Sequence, residues 1–353
     1  MGKNIVIDGF FLTEKVTGVQ RYALEVIRQL DQLWNPADGE LEIAAPPGAV
    51  FPFPLNRIRF ATVGKRTGDL WEQIDLVRHL RKRKALVVCM ENILPALYRK
   101  GIIMIHDISL KVNPGMFRGT LRGKVSVCWR CLNYWLAACS AMRIGTVSAC
   151  AKEEICRTYG VSPERITVLP SAWQHMDRVA PDESVLEGLP EDYWFALSSL
   201  APTKNFRWIV EAARKHPEER FVIAGGGDLR GFLRENGAEG LQNLRLLGYI
   251  TDEQARALMA HCKAFLMPTL YEGFGLPPLE AAAVGAKALV LSDIPVLHEV
   301  YGEAGTYIDP HGDASVLPPL KVLSSDEREA LLEKYSWEKT ARRMAELLVQ
   351  MKD

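Results

Sequence analysis

Residues 264–293, AFLMPTLYEGFGLPPLEAAAVGAKALVLSD, allow very few local folds. The apolar run 264–269 has the composition of a strand. The following loop carries Gly273 and Gly275, where the backbone can bend sharply or approach a ligand closely. Pro277 and Pro278 suit the first helical positions, where a missing N–H costs nothing. A short buried helix is predicted over 279–284, ended by Gly285, with a further strand over 288–291. Strand, glycine loop, helix and strand in this order are a unit of a parallel α/β sheet. A loop and helix start after such a strand present free N–H groups and the positive dipole end to an anion.

Two carboxylates flank this anion site, Glu272 in the loop and Glu280 in the predicted first helical turn. One ligand explains both signs. A nucleotide-sugar has a diphosphate that needs N–H donors, and hydroxyls that need carboxylate acceptors. Taken singly, Glu280 also fits a helix that merely favours an acid near its start, and Glu272 a solvated loop. The segment YEGFGLPPLEAAAVGA resembles the E-x7-E segment of the retaining glycosyltransferases of family 4, continuing through Ser292-Asp293 and Glu299 to Asp309-Pro310. That resemblance implies the GT-B fold: two Rossmann-like, doubly wound α/β domains facing each other across a cleft.

Composition excludes several other classes. Charged residues balance at 43 basic and 43 acidic, so the chain lacks the excess positive charge that nucleic acid binding needs. Seven cysteines without framework spacing read as reduced thiols of a cytoplasmic protein. Cys128 and Cys131 form one C-x-x-C, but no second pair completes a zinc site. No metal site is expected. The first residues, MGKNIVIDGFF, lack a signal-peptide core, and no apolar run reaches membrane-spanning length.

At 353 residues two domains are expected. Residues 1–175 form the predicted N-terminal, acceptor-binding domain and 190–335 the C-terminal, donor-binding domain. The best linker lies over 174–192, with acids, Pro181 and Pro190. The resemblance implies that the last helix, 336–353, packs back on the first domain. In the first domain a strand over 4–8, a loop, and a helix over 18–33 with Val19, Tyr22, Ala23, Val26, Ile27 and Leu30 at helical spacing open the array. TGVQRY resembles a family segment at the cleft, and Gly18 suits close backbone approach there. An ordinary glycine ahead of a helix fits the same pattern. A helix over 71–83 ends in RHLRKRK, either a solvated helix end or a contact for an anionic membrane.

A strand over 102–105 ends at His106-Asp107, where open α/β sheets bind ligands. IHDISLKVNPGMF resembles the family's HD segment, which implies His106 near the donor sugar, with Asp107 orienting the imidazole. The helix predicted over 118–143, with Trp129, Leu132, Trp135 and Leu136, reads either as a core helix or as a docking face for membrane or a lipid acceptor. TVSACAKEEICRTYGVSPERITVLPSA resembles the close of the family's first domain, with Ser171-Ala172 where Asn-Gly is expected.

In the second domain SSLAPTKNF resembles the family's phosphate segment. Thr203 is expected to cap a helix and to leave Lys204 in its first turn, opposing the dipole unless an anion is bound. Many relatives carry an arginine upstream of that lysine or beside it. Here Ser198, Ser199 and Thr203 stand at those positions. Backbone N–H groups of Gly275 and Leu276, or Arg21, are the candidates to compensate. Gly225-Gly226-Gly227 fits either a loop against the nucleotide or an ordinary turn.

The resemblance implies His106, Lys204 and Glu272 as catalytic residues. It implies donor contacts from Gly18, Lys204, Gly226, Glu272, Gly273, Phe274, Gly275, Leu276 and Glu280. No Asp-x-Asp occurs, so metal-independent transfer without a cofactor is expected. The expected partners are a UDP-, GDP- or dTDP-linked sugar and a sugar or lipid-linked oligosaccharide acceptor. The setting that the resemblance implies is bacterial surface polysaccharide synthesis in the cytoplasm, at the inner face of the plasma membrane, with peripheral membrane contact. The alternatives are an NAD(P)-dependent oxidoreductase, weakened by the absence of G-x-G-x-x-G from the first loop, a nucleotide-sugar epimerase, and a non-catalytic nucleotide-sugar-binding protein.

Overall fold

Short runs that are apolar on both faces, such as Ile5-Val6-Ile7 and Phe265-Leu266-Met267, suit strands covered by helices on each side, which is how parallel sheets are built. A computed structural model describes residues 3–96, 98–117 and 121–351, apart from the side chains at 3, 117 and 121–130. It divides into two units, Met1–Ser171 with Trp337–Asp353, and Ala172–Ser336.

In unit 1 the described strands are β1 (Lys3–Asp8), β2 (Gly39–Ala45), β3 (Arg59–Thr62), β4 (Leu86–Cys89), β5 (Gly101–Met104), β6 (Arg143–Thr146) and β7 (Ile166–Val168). They pair in parallel in the order β3-β2-β1-β4-β5-β6-β7. Ile5 sits between Leu41 and Leu86 in the ladder, and all three are buried. The helix Gly18–Leu33 turns Tyr22, Val26, Ile27 and Leu30 inward and is covered by the helix Trp337–Gln350. Trp337 meets the Tyr22 ring edge-on at 5.6 Å, and the Thr340 hydroxyl donates to the Pro170 carbonyl at 2.7 Å.

Unit 2 repeats the plan. Its described strands are β8 (Trp194–Leu197), β9 (Phe221–Ala224), β10 (Leu244–Gly248), β11 (Ala264–Met267), β12 (Leu289–Ser292) and β13 (Thr306–Ile308). They run parallel in the order β10-β9-β8-β11-β12-β13. In both units the chain winds outward one way from the first strand and then returns to wind the other way. The switch points lie between β1 and β4 and between β8 and β11, where doubly wound sheets bind ligands at their carboxyl ends.

Several expected boundaries move for physical reasons. The helix expected over 279–284 runs Leu276–Ala283, because the prolines need no donated hydrogen bond in a first turn. Glu280 therefore stands in the second turn. The segment 174–192 is more than a connection: it forms turns of 3-10 helix at Gln174–Arg178 and Glu183–Leu186, and buries His175 and Met176 within unit 2. The helix expected over 71–83 begins at Gly68 and has a π segment at Trp71–Leu76. At its basic end Arg83 pairs with Glu40 at 2.7 Å and with the buried Glu42 at 3.6 Å, as a structural helix end would.

The long helix is described over Leu121–Ser140; its expected start at Arg118 and the Cys128 and Trp129 side chains lie outside the described residues. Tyr134, Ala137 and Ala138 join the unit 1 core, while Leu132 and Trp135 are exposed. Among the described residues, no helix is long and apolar enough to cross a membrane.

Candidate active site

The unit 2 switch point brings together the loop after β8 and the loop after β11, which are far apart in sequence. Lys204 ends a single 3-10 turn, Pro202–Lys204, and Asn205 follows in the left-handed region with φ 54°. The next helix, Phe206–Lys215, has Asn205 as its N-cap. Lys204 therefore stands before the helix, and the expected first-turn position with Thr203 as cap is corrected. The Thr203 carbonyl instead accepts from the Leu270 N–H at 2.7 Å and the Thr269 hydroxyl at 2.8 Å. Asn205 adds a second clamp, its amide donating to the Pro268 carbonyl at 2.9 Å and the Pro310 carbonyl at 2.8 Å. The loops after β8, β11 and β13 are thus held by backbone acceptors, the kind of support a precise site needs.

Within that frame the Lys204 ammonium donates to Glu272 Oε1 at 2.7 Å, with 24% of the lysine side chain and 10% of the glutamate side chain exposed. The expected catalytic pair is in contact despite a separation of 68 residues. Gly275 follows with φ 82° as the N-cap of the helix Leu276–Ala283, and a Cβ there would lie 2.7 Å from Leu297. The buried Tyr301 hydroxyl donates to the Gly275 carbonyl, and burial holds that phenol well above its ordinary range. Phe274 and Leu276 are buried.

On the same helix Glu280 Oε1 accepts from His175 Nε2 at 2.8 Å. The histidine is 2% exposed and the Glu280 side chain 13%. Of the triple glycine, Gly225 and Gly227 are fixed by packing: a Cβ would lie 1.5 Å from the Ser198 carbonyl at Gly225 and 2.8 Å from Leu200 at Gly227. Gly226, between them, is exposed and has open space around its Cβ position. It is the member of the triplet whose identity the protein's own packing does not explain.

In unit 1 Gly18 begins its helix with open space at its Cβ position. His106 is 8% exposed at the end of β5, and its ring contacts Tyr22 edge-on at 4.9 Å. Its Nε2–H donates to the Met90 carbonyl at 2.8 Å, which leaves Nδ1 as the lone-pair nitrogen of the neutral ring. Burial lowers its pKa, partly offset by that hydrogen bond and by Asp107. Asp107 does not hold the imidazole by hydrogen bonding. Its Oδ1 accepts from the Ser109 N–H at 2.9 Å and hydroxyl at 2.7 Å, starting the next helical turn. Orientation comes from Met90 and from Asn92, which accepts the His106 N–H at 2.8 Å and donates to the Asp107 carbonyl at 3.3 Å.

The sequence reading also missed a carboxyl pair at the unit 1 switch point. Asp8 ends β1, hydrogen-bonds the Glu72 side chain, and lies 3.9 Å from the Cys89 thiol at the end of β4. Burial raises both carboxyl pKa values, and Asp8 raises Glu72 further. Glu72 reaches this place from the π segment Trp71–Leu76, which no periodicity in the sequence announces.

Comparison with known proteins follows the two units closely. Residues 16–172 match the model of the family described as Glycosyltransferase Family 4, and residues 192–317 that of Glycosyl transferases group 1. The chain is 29% identical over 377 aligned positions to O-antigen chain mannosyltransferase B of Escherichia coli, a match covering 93% of this chain and 96% of that one. Sucrose-phosphate synthase from Thermosynechococcus elongatus has the same fold, with TM-score 0.72, 16% identity and 99% of each chain covered. So does HepE from Anabaena, described in complex with UDP and glucose, with TM-score 0.66, 14% identity and 99% of each chain covered.

Proposed function

This chain belongs to glycosyltransferase family 4, and from that premise we propose that it moves a mannosyl residue from a nucleotide-linked donor to a sugar hydroxyl in surface polysaccharide assembly. The Escherichia coli relative that matches over nearly its whole length, an O-antigen chain mannosyltransferase, supports the mannosyl group and the O-antigen-like product. The observation that carries the reading is the Lys204–Glu272 contact at the unit 2 switch point, with Glu280 in the second turn of the helix that follows the loop.

Departure of a nucleoside diphosphate leaves negative charge on its phosphate oxygens. The Lys204 ammonium has three N–H donors. Glu272 takes one and aims the others, so the cation is preorganised for the leaving diphosphate and costs little reorganisation at reaction. Gly273, Gly275 and Leu276 supply main-chain N–H groups where relatives use an arginine. Glu280 accepts hydroxyls of the ribose, and Glu272 those of the sugar. His106, neutral because it is buried, accepts or donates a hydrogen bond without adding charge beside the oxocarbenium-like transition state. We further propose retention, by attack from the face the diphosphate leaves, with a phosphate oxygen taking the acceptor proton. Retention follows the family. The reaction proceeds without a metal, consistent with a chain that has no Asp-x-Asp to hold a metal diphosphate.

Thermal melting without metal tests the donor site, using UDP, GDP, dTDP and NAD as probes. A ligand at about 100 times its dissociation constant stabilises by roughly 2.7 kcal/mol. One nucleoside diphosphate is expected to raise the melting point, and Glu280→Ala to remove the shift. A shift with NAD alone, or an undiminished shift in Glu280→Ala, rejects the assignment.

A further inference from the structure

We propose that His175 is a positioning residue for nucleotide recognition, fixing Glu280 so that one carboxylate oxygen faces the ribose. This rests on the reading of Glu280 as the ribose acceptor and extends it to a residue that lies 105 positions earlier in the chain.

His175 is nearly fully buried, and a polar ring at that depth must be matched by hydrogen bonds. Its Nε2–H spends one on Glu280 Oε1 at 2.8 Å. A carboxylate has two oxygens, each with more than one acceptor direction. Holding Oε1 removes the free rotation of a flexible side chain before any ligand arrives, and the glutamate remains 13% exposed for a second contact. Binding then costs less conformational entropy. The donor nitrogen is on a rigid planar ring, so its N–H is held in one direction toward Oε1 more firmly than the end of a long lysine chain would be.

The histidine is itself held. Flanking Trp173 donates its indole N–H to the Leu332 carbonyl at 3.0 Å, and the Gln174 amide donates to the Tyr335 carbonyl at 2.9 Å. Arg256 donates to the Met176 carbonyl on the other side. Tyr335 in turn packs edge-on against Phe274 at 5.2 Å, in the loop that carries Glu272. The turn Gln174–Arg178 is therefore tied to both ends of the E-x7-E segment, and a loose linker would not be.

The test compares binding of UDP, GDP and dTDP, each beside the analogue lacking its ribose hydroxyls, to wild type, His175→Ala, His175→Gln and Glu280→Gln by calorimetry. His175→Ala is expected to weaken the hydroxyl-bearing nucleotide about tenfold, the scale of one hydrogen bond to a charged group. It is expected to leave the analogue unchanged and to raise the donor KM with kcat retained. His175→Gln, which can donate from its amide, is expected to recover most of the loss. If His175→Ala keeps the ratio of the two affinities while Glu280→Gln collapses it, the positioning role is overturned and the ribose reading stands. If Glu280→Gln also keeps the ratio, both fall. A loss that is equal for nucleotide and analogue, with a lowered melting point, assigns His175 to folding alone and overturns the proposal.

Discussion

At the residue scale, the loop after β9 separates positions that packing requires from positions it leaves open. A Cβ at Gly225 would lie 1.5 Å from a carbonyl oxygen, at φ 140°. Gly225→Ala is expected to cost about 3 kcal/mol or more, because the obstruction is backbone and cannot rotate away. Gly226→Ala is expected to stay within ~0.5 kcal/mol of wild type in urea denaturation. Equal losses at the two positions would contradict the described loop. The carboxyls at the β1–β4 switch point give a second residue-scale prediction. Both have folded pKa values above their unfolded ones, so their stabilising protonation is complete below about pH 4 and is lost as pH rises through the folded values. Stability should fall with rising pH by at most about 1.4 kcal/mol per unit for each proton involved. Glu72→Gln should flatten that slope, and an unchanged slope would show that the pair ionises as freely folded as unfolded.

Individual elements differ in how much of them the sequence announces. The helix Gly18–Leu33 has the limits read from its apolar spacing, because Tyr22, Val26, Ile27 and Leu30 fall on one buried face. The E-x7-E loop was equally legible, since two glycines, two prolines and two acids fall in one short stretch. The setting of Lys204 was not. Thr203 looked like a cap, but its carbonyl is used by the neighbouring loop and Asn205 takes the left-handed turn, so the helix starts later. The partners of Glu280 and Asp8 were hidden for a different reason. His175 and Glu72 arrive through tertiary packing, from a 3-10 turn and a π segment whose spacing matches neither helix nor strand.

At the scale of the whole molecule, one strand plan is used twice, and the second unit is inserted between the first and its last helix. That helix buries Trp337, Ala341, Met344 and Leu348 in unit 1. Met344→Ala is expected to destabilise unit 1 by ~2–5 kcal/mol, the cost of emptying a packed methionine site. Because the proposed donor site is built from unit 2 residues, the stabilisation of unit 2 by a nucleoside diphosphate should survive, and differential scanning calorimetry with and without that nucleotide can follow both units. Loss of nucleotide binding in Met344→Ala would show that the units do not keep separate accounts of stability.

This inserted arrangement also sets an order of events at the ribosome. The first unit begins to emerge first, yet the apolar face of the helix Gly18–Leu33 waits for a partner that is translated more than 300 residues later. Unit 2 is continuous in sequence and can complete its fold as soon as it clears the exit tunnel. During synthesis the nascent first unit therefore carries an uncovered apolar stripe, while unit 2 is already whole.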